Sequence, residues 1–315
     1  MAEPLRRRVR RRSLEGLTAV TGLVPAPLLL GGLRGLALLA RHTVYERRTL
    51  ANLELALGDE TTALERARIA ARVRRHAARQ FAEWLRLARG APPAGPHAAR
   101  GRWIEEAVAL DDSITLLDEQ LARGRGAIIV TAHIGNWELL CARLRRRGHE
   151  GAVIGLERPR DSTSRWLTEM RRGYGVETLP QRTNPRNLLR VLQGGGVLGI
   201  LCDLEVRRLA GEFLPFFGRQ ALTMTAPAAL ARAARVPLLP TRCVANGGGQ
   251  YLLSFEEPLA IDSTCDRPQR AGELMGRLNH RFETWIRESP EQWAWHQHRW
   301  RTRPEELLAT PLAGR

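Results

Sequence analysis

Residues Gly126 to Leu140 read GAIIVTAHIGNWELL, and the fold follows from how this stretch is parsed. Ala127 to Val130 are four consecutive apolar residues, which predicts a buried strand. Thr131, Ala132 and His133 leave it, Gly135 and Asn136 make a turn, and Trp137 to Arg147 is predicted to be a helix. His133 then stands at the carboxyl end of a strand and Glu138 in the first turn of the next helix. Open α/β sheets bind ligands at that edge. A histidine with a carboxylate five positions on can form a general base with an orienting partner: the carboxylate takes the Nδ1 proton, fixes the tautomer and leaves Nε2 free. An isolated HxxxxE is common by chance. Here it follows an apolar strand, opens a helix and encloses a glycine, which favours chemistry over a structural histidine and a solvated glutamate. Backbone N–H groups of Ile134 to Asn136, at the helix start, are candidate donors to an oxyanion.

Downstream, helix and strand alternate. A helix at 114–124 precedes the central strand. A strand at 152–156, helices at 163–172 and 185–193, a strand at 197–202 and a helix at 225–234 follow it. Strands at 237–244 and 250–255 and a helix at 269–288 complete the run. The pattern predicts an α/β fold with a mostly parallel sheet flanked by helices. Arg158 and Asp203 follow two of these strands and fall on the same carboxyl edge as His133. Arg158 could bind a phosphate or carboxylate in bidentate fashion. Asp203 could bind a substrate hydroxyl, orient Arg158 or cap a turn. Phe216 and Phe217, before Gly218, could wall an acyl chain or pack the core. No GxGxxG and no glycine-rich loop ending in GK[ST] is present, so no nucleotide-phosphate loop is expected.

Upstream the chain changes character. Six arginines lie within residues 1–12, and Leu17 to Ala40 is apolar, carries one charge, Arg34, and contains Pro25, Pro27, Gly31 and Gly32. Proline should break a helix there. A broken apolar segment with arginine on both sides suits a place in one leaflet, with a single span as the alternative. Anionic headgroups attract basic residues by about 1 kcal/mol each near the surface. Three regions result: a basic tail and membrane-associating segment at 1–43, a helical region and linker at 44–101, and an α/β domain at 102–315. Within the second, Asp59 begins a break, and Thr62 with Glu65 has capping-box spacing.

The formal charge of +16 comes from 49 basic against 33 acidic residues, with no lysine. It implies an acidic partner: nucleic acid, anionic lipid or an acidic protein. The four cysteines, Cys141, Cys202, Cys243 and Cys265, are scattered without a CxxC, which excludes a disulfide framework or zinc knuckle and fits a reducing compartment. No cofactor or metal site is expected. The stretch 290–304, PEQWAWHQHRWRTRP, interleaves tryptophan with arginine, as in nucleic-acid stacking platforms or at a membrane interface.

Taken together, several of these pieces resemble one family. RRTLANLELALG at 47–58, TAHIGNWEL at 131–139, ERP at 157–159, the aspartate of LCD at 201–203, FLPFFGRQALT at 213–223 and PEQWAWHQHRWRTRP at 290–304 keep the order and spacing of the late acyltransferases of lipid A biosynthesis. Leu204 and Ala226 depart from residues frequent there. The resemblance implies a glycerolphosphate-acyltransferase-like fold and a protein of the cytoplasmic membrane, its active domain on the cytoplasmic side. It implies transfer of a fatty acyl chain from acyl carrier protein, or acyl-CoA, to a hydroxyl of a phosphorylated glycolipid. His133 and Glu138 become its dyad, Arg158 a polar active-site residue, and Asp203 with Asn136, Phe216, Phe217 and Gly218 the substrate side. Relatives acylating other glycolipids, such as phosphatidylinositol mannosides, share the architecture. The rival expectations are a nucleic-acid-binding protein and a lipid-binding relative without catalysis.

Overall fold

The computed structural model describes residues 16, 18, 24–89, 98–155, 161–206, 209–259 and 271–305. The chain opens with three helices, α1 (Ala26–Leu39), α2 (Val44–Leu57) and α3 (Ala63–Ala88). The prolines expected to break the apolar segment instead start α1: Pro25 is its N-cap and Pro27 lies in its first turn, where a missing N–H costs nothing. No helix among the described residues is long and apolar enough to cross a membrane. α3 begins at the expected box: Glu65 N–H donates to Thr62 Oγ1 while Thr62 N–H donates to Glu65 Oε2.

The α/β part then runs α4 (Ala98–Ala107), β1 (Val108–Leu110), α5 (Ile114–Ala122), β2 (Ala127–Thr131), α6 (Trp137–Arg146), β3 (Gly151–Gly155), α7 (Ser162–Gly173) and β4 (Glu177–Pro180). It continues α8 (Pro185–Gln193), β5 (Val197–Leu201), β6 (Gly211–Phe216), β7 (Arg219–Met224), α9 (Ala226–Ala234), β8 (Leu238–Ala245), β9 (Tyr251–Phe255) and α10 (Ala271–Glu288). Seven strands form one sheet in the order β1-β9-β8-β2-β5-β3-β4. β8, β2, β5, β3 and β4 are mutually parallel; β9 runs against β8, and β1 runs with β9. The expected mostly parallel sheet is therefore present, and β2 lies at its centre.

The residues of β2 are all buried because both faces are covered. Ile128 and Val130 join the apolar cluster that takes in α2, α3, α9 and α10, and Ala127 and Ile129 join the other, with α5, α6 and α7. That alternation is the strand period of two with apolar cover on each side. The elements not expected from sequence are helix α4, where a linker was expected, the short strands β1 and β4, and the hairpin β6–β7. The hairpin is a separate two-stranded sheet. Its two-residue turn puts Phe217 at φ 52° and Gly218 at φ 68°, the backbone of a primed turn that matches strand twist.

Candidate active site

β2 and β5 are neighbours in parallel register, with Thr131 opposite Leu201. Two residues beyond that pair each chain leaves the sheet, so His133 and Asp203 emerge side by side at the carboxyl edge. The His133 Nδ1–H donates to Asp203 Oδ1 at 2.7 Å, and the His133 backbone N–H donates to Oδ2 at 2.9 Å. Trp293 Nε1–H donates to Oδ2 at 2.7 Å. Asp203 is fully buried while the His133 side chain is 25% exposed. Burial works against charge on Asp203, but the neighbouring His133 and these three donors outweigh it and hold the carboxyl below its ordinary range. An ionised Asp203 can only accept, so Nδ1 carries a proton and Nε2 is the ring nitrogen that Asp203 does not engage.

This corrects the expected pairing. Glu138 is also fully buried but faces away from the imidazole, into α7. It accepts from Arg171 Nε at 2.9 Å, from Arg171 Nη2 and from Tyr174 Oη at 2.8 Å. The turn decides this. Gly135 adopts φ +61°, and a Cβ there would sit 1.9 Å from the Cys243 carbonyl oxygen; only glycine brings the chain this close to β8. Asn136 then caps α6 through Oδ1, which accepts from Leu139 N–H, and Glu138 points down the buried side of the helix. Burial alone would discharge Arg171, yet Glu138 raises its pKa above the ordinary arginine value. Burial and then Glu138 push the Cys141 thiol up to about 12, leaving it neutral.

Other expectations at the turn also change. The Gly135 N–H donates to Gln292 O at 3.0 Å and the Asn136 N–H to Cys243 O at 2.8 Å, so neither is left for an oxyanion. Asn136 has no exposed surface. Its Oδ1 also accepts from Trp84 Nε1, and its Nδ2 donates to Glu83 Oε2 at 2.7 Å, which ties the turn to α3 rather than to a substrate. Phe216 and Phe217 are buried against each other and against Trp293, Trp295 and Trp300; with Gly218 they make core and turn, not a substrate wall. Arg158 lies outside the described residues.

The residues after α10 fold inward. Trp293, Trp295 and Arg299 are buried, so this segment is neither a stacking platform nor an interfacial belt. Ile134 and Trp293 form an antiparallel bridge. From the other side, α2 holds the same strap: Asn52 Nδ2 donates to the Trp295 and Gln297 carbonyls at 2.6 and 3.0 Å, and Arg48 Nη1 to the His296 carbonyl at 3.2 Å. Sequence reasoning missed these residues. The available signal was a spacing of four between Arg48 and Asn52, which puts both on one face of an otherwise leucine-rich helix.

His133 opens onto a cleft of about 600 Å³ between α3, α7 and the strap. Val73, Ala77, Phe81, Trp84, Trp137 and Leu167 supply apolar lining, and His76, Arg171 and His296 polar lining. The Trp137 ring stands edge-on to His133 with centroids 5.1 Å apart. His76 Nε2 donates to the Gly135 carbonyl at 3.1 Å, and burial lowers its pKa. Burial first, with proximity to His133 and Arg48 adding to it, pushes His296 down to about 4. Both are neutral at pH 7. No group of three or more histidine, cysteine or acidic side chains that could hold a metal occurs among the described residues. The arrangement is an imidazole with an ionised orienting partner at the head of a cleft with both apolar and polar walls, where Arg171, Asp161 and Glu291 supply charge. It can take a proton from a hydroxyl while an apolar chain occupies the cleft.

The pattern of the bacterial lipid A biosynthesis acyltransferases matches residues 14–302. Among curated proteins, the chain is 29% identical over 189 residues to a phosphatidylinositol mannoside acyltransferase of Mycobacterium tuberculosis strain H37Rv, covering 58% of this chain and 57% of that one. It is 28% identical over 190 residues to the lipid A biosynthesis lauroyltransferase of Escherichia coli K12, covering 58% and 59%. A phosphatidylinositol mannoside acyltransferase of Mycolicibacterium smegmatis is 25% identical over 227 residues, covering 71% and 69%. Against the first two, the match spans less than two thirds of the relative's own length.

Proposed function

The chain belongs to the bacterial lipid A biosynthesis acyltransferase family, and from that premise we propose that it is an O-acyltransferase moving a fatty acyl chain from a thioester to a hydroxyl of a glycolipid. The observation that carries the reading is the His133–Asp203 pair at 2.7 Å, opening onto a cleft with an apolar wall of Val73, Phe81, Trp84, Trp137 and Leu167. His133 Nε2 takes the proton of the acceptor hydroxyl as its oxygen attacks the thioester carbonyl. The C–S bond breaks as the ester C–O bond is completed, and the thiolate takes the proton back from Nε2. Asp203 holds the ring and stabilises the imidazolium formed between these events. Glu138 fixes Arg171 on the cleft wall, where its charge is available to a phosphate or to the developing oxyanion.

The donor is an acyl carrier protein thioester or acyl-CoA; both are anionic and suit a chain of net charge +16. The acceptor is a phosphorylated glycolipid, either a lipid A precursor or a lipid of the phosphatidylinositol mannoside type. The second stands beside the first because both kinds of relative match about equally well. The site works at the cytoplasmic face of the membrane: α1 exposes Leu28, Leu36, Leu38 and Leu39, an apolar edge suited to a bilayer surface. Mass spectrometry of lipids formed by the purified protein from acyl carrier protein and CoA thioesters, offered each acceptor in turn, tests the reading. His133→Ala should lower turnover by about 10²–10⁴-fold and leave the thermal midpoint near wild type. A folded variant with near-normal transfer would overturn it.

A further inference from the structure

Asp203 receives three hydrogen bonds, and two of them come from His133 itself. Among the described residues the third, from Trp293 Nε1 at 2.7 Å, is the one that reaches the carboxylate from outside the histidine. We propose that Trp293 is a positioning residue for the base, its indole N–H fixing the plane of the Asp203 carboxylate so that Asp203 can in turn fix His133. This rests on the acyltransferase reading above.

The construction around the indole supports it. Trp293 is 1% exposed and is clamped at its backbone: Gly135 N–H donates to Gln292 O, and Ala294 N–H to His133 O, each at 3.0 Å. One residue is thus bridged to the histidine loop by backbone and to the aspartate by side chain. Its ring packs on Trp295, Phe216 and Trp300 at centroid distances of 4.6, 6.0 and 6.3 Å, so it cannot follow Asp203 if the carboxylate turns. A carboxylate held only by the group it orients could swivel with it; a donor anchored elsewhere removes that freedom. Among the described residues, the titratable groups sharing the cleft with His133 are His76 on α3, Asp161 at the N-cap of α7 and Arg171 within it, and Glu291 and His296 on the strap, while Cys202 and Arg299 lie near Asp203. Taking away an N–H donor makes the carboxylate a better acceptor and favours the imidazolium.

The test replaces Trp293 by phenylalanine and, in a second protein, by 3-benzothienylalanine, which keeps the bicyclic shape with sulfur in place of N–H. Both are compared with wild type in acyl transfer from an acyl carrier protein thioester. The His133 titration is followed separately by NMR of ¹⁵N-histidine protein, assigned with His133→Asn. With the N–H gone, kcat falls about 10-fold or more while KM stays within about 3-fold. The acid limb of the rate profile and the His133 titration both move to higher pH by about half a unit or more. A folded benzothienylalanine protein whose titration matches wild type overturns the proposal, whether kcat is unchanged or has fallen through packing alone. A shifted titration in a protein whose wild type transfers no acyl group supports the positioning role and sinks the acyltransferase reading instead.

Discussion

Two carboxylates lie within a few residues of the same strand edge, and they do opposite things. Asp203 and Glu138 are both fully buried, and each receives three hydrogen bonds. The partner of Glu138 is an arginine, which keeps its charge at any working pH. The central partner of Asp203 is an imidazole, which changes charge within the physiological range. The first pair is a fixed electrostatic part, holding a cation on the cleft wall. The second can cycle a proton. A buried carboxylate is thus not itself a sign of catalysis; the titration of what it faces decides what it can do.

The comparison breaks most sharply if the two carboxylates are neutralised in turn. Asp203→Asn can no longer fix the Nδ1–H tautomer, and turnover should fall by about 10²–10⁴-fold with a modest change in stability. Steady-state kinetics beside a thermal melt would check both parts, and a variant at half of wild-type activity would remove Asp203 from the mechanism. Glu138→Gln should reverse the balance. It leaves the buried Arg171 charge uncompensated, at a cost of about 3–5 kcal/mol, read as a lower midpoint in urea. If Glu138→Gln melts like wild type, the fixed-part reading is wrong.

A smaller effect should come from the strap that brings Trp293 to Asp203. Asn52→Ala removes two donors from buried carbonyls and should cost about 1–3 kcal/mol, with kcat reduced less than by Asp203→Asn. The smallest is in the pH dependence of stability. Asp203 has a lowered pKa in the folded protein, so its contribution is complete above the ordinary aspartate value of about 4 and is lost as pH falls through the lower folded value. His296, held near 4 in the fold, follows the same sign from a different start. Its contribution is complete above about 6.5 and is lost as pH falls towards 4, because the unfolded chain binds the proton first. His296→Gln should flatten the unfolding free energy between those limits in a denaturant series, and an unchanged slope would count against that burial.

The apolar run at Ala127 to Val130 marked the central strand from sequence, and the residues after it located His133 at its carboxyl end. Asp203 was also placed on the right edge, since it follows an apolar run of the same kind. Its partner was misjudged because a carboxylate five residues away looked closer than one 70 residues away. Strand order makes the distant one the neighbour. The hairpin was missed because Phe216 and Phe217 were weighed only as an acyl-chain wall or core, although Phe217 and Gly218, both at positive φ, form a tight turn.

The sequence by itself determined where the inner strands of the sheet and the turn at Gly135 fall, because apolar period, capping residues and glycine act over a few residues. It fixed His133 at the mouth of a strand for the same reason. Only the tertiary structure decided that Asp203 and not Glu138 faces the imidazole, and that the tryptophan-arginine strap closes inward to support it. Those are contacts between segments 70 to 243 residues apart, and they depend on β5 lying beside β2 and on α2 packing across the strap. No local signal encodes such adjacency, because it is set by which apolar faces bury one another when the whole sheet is assembled.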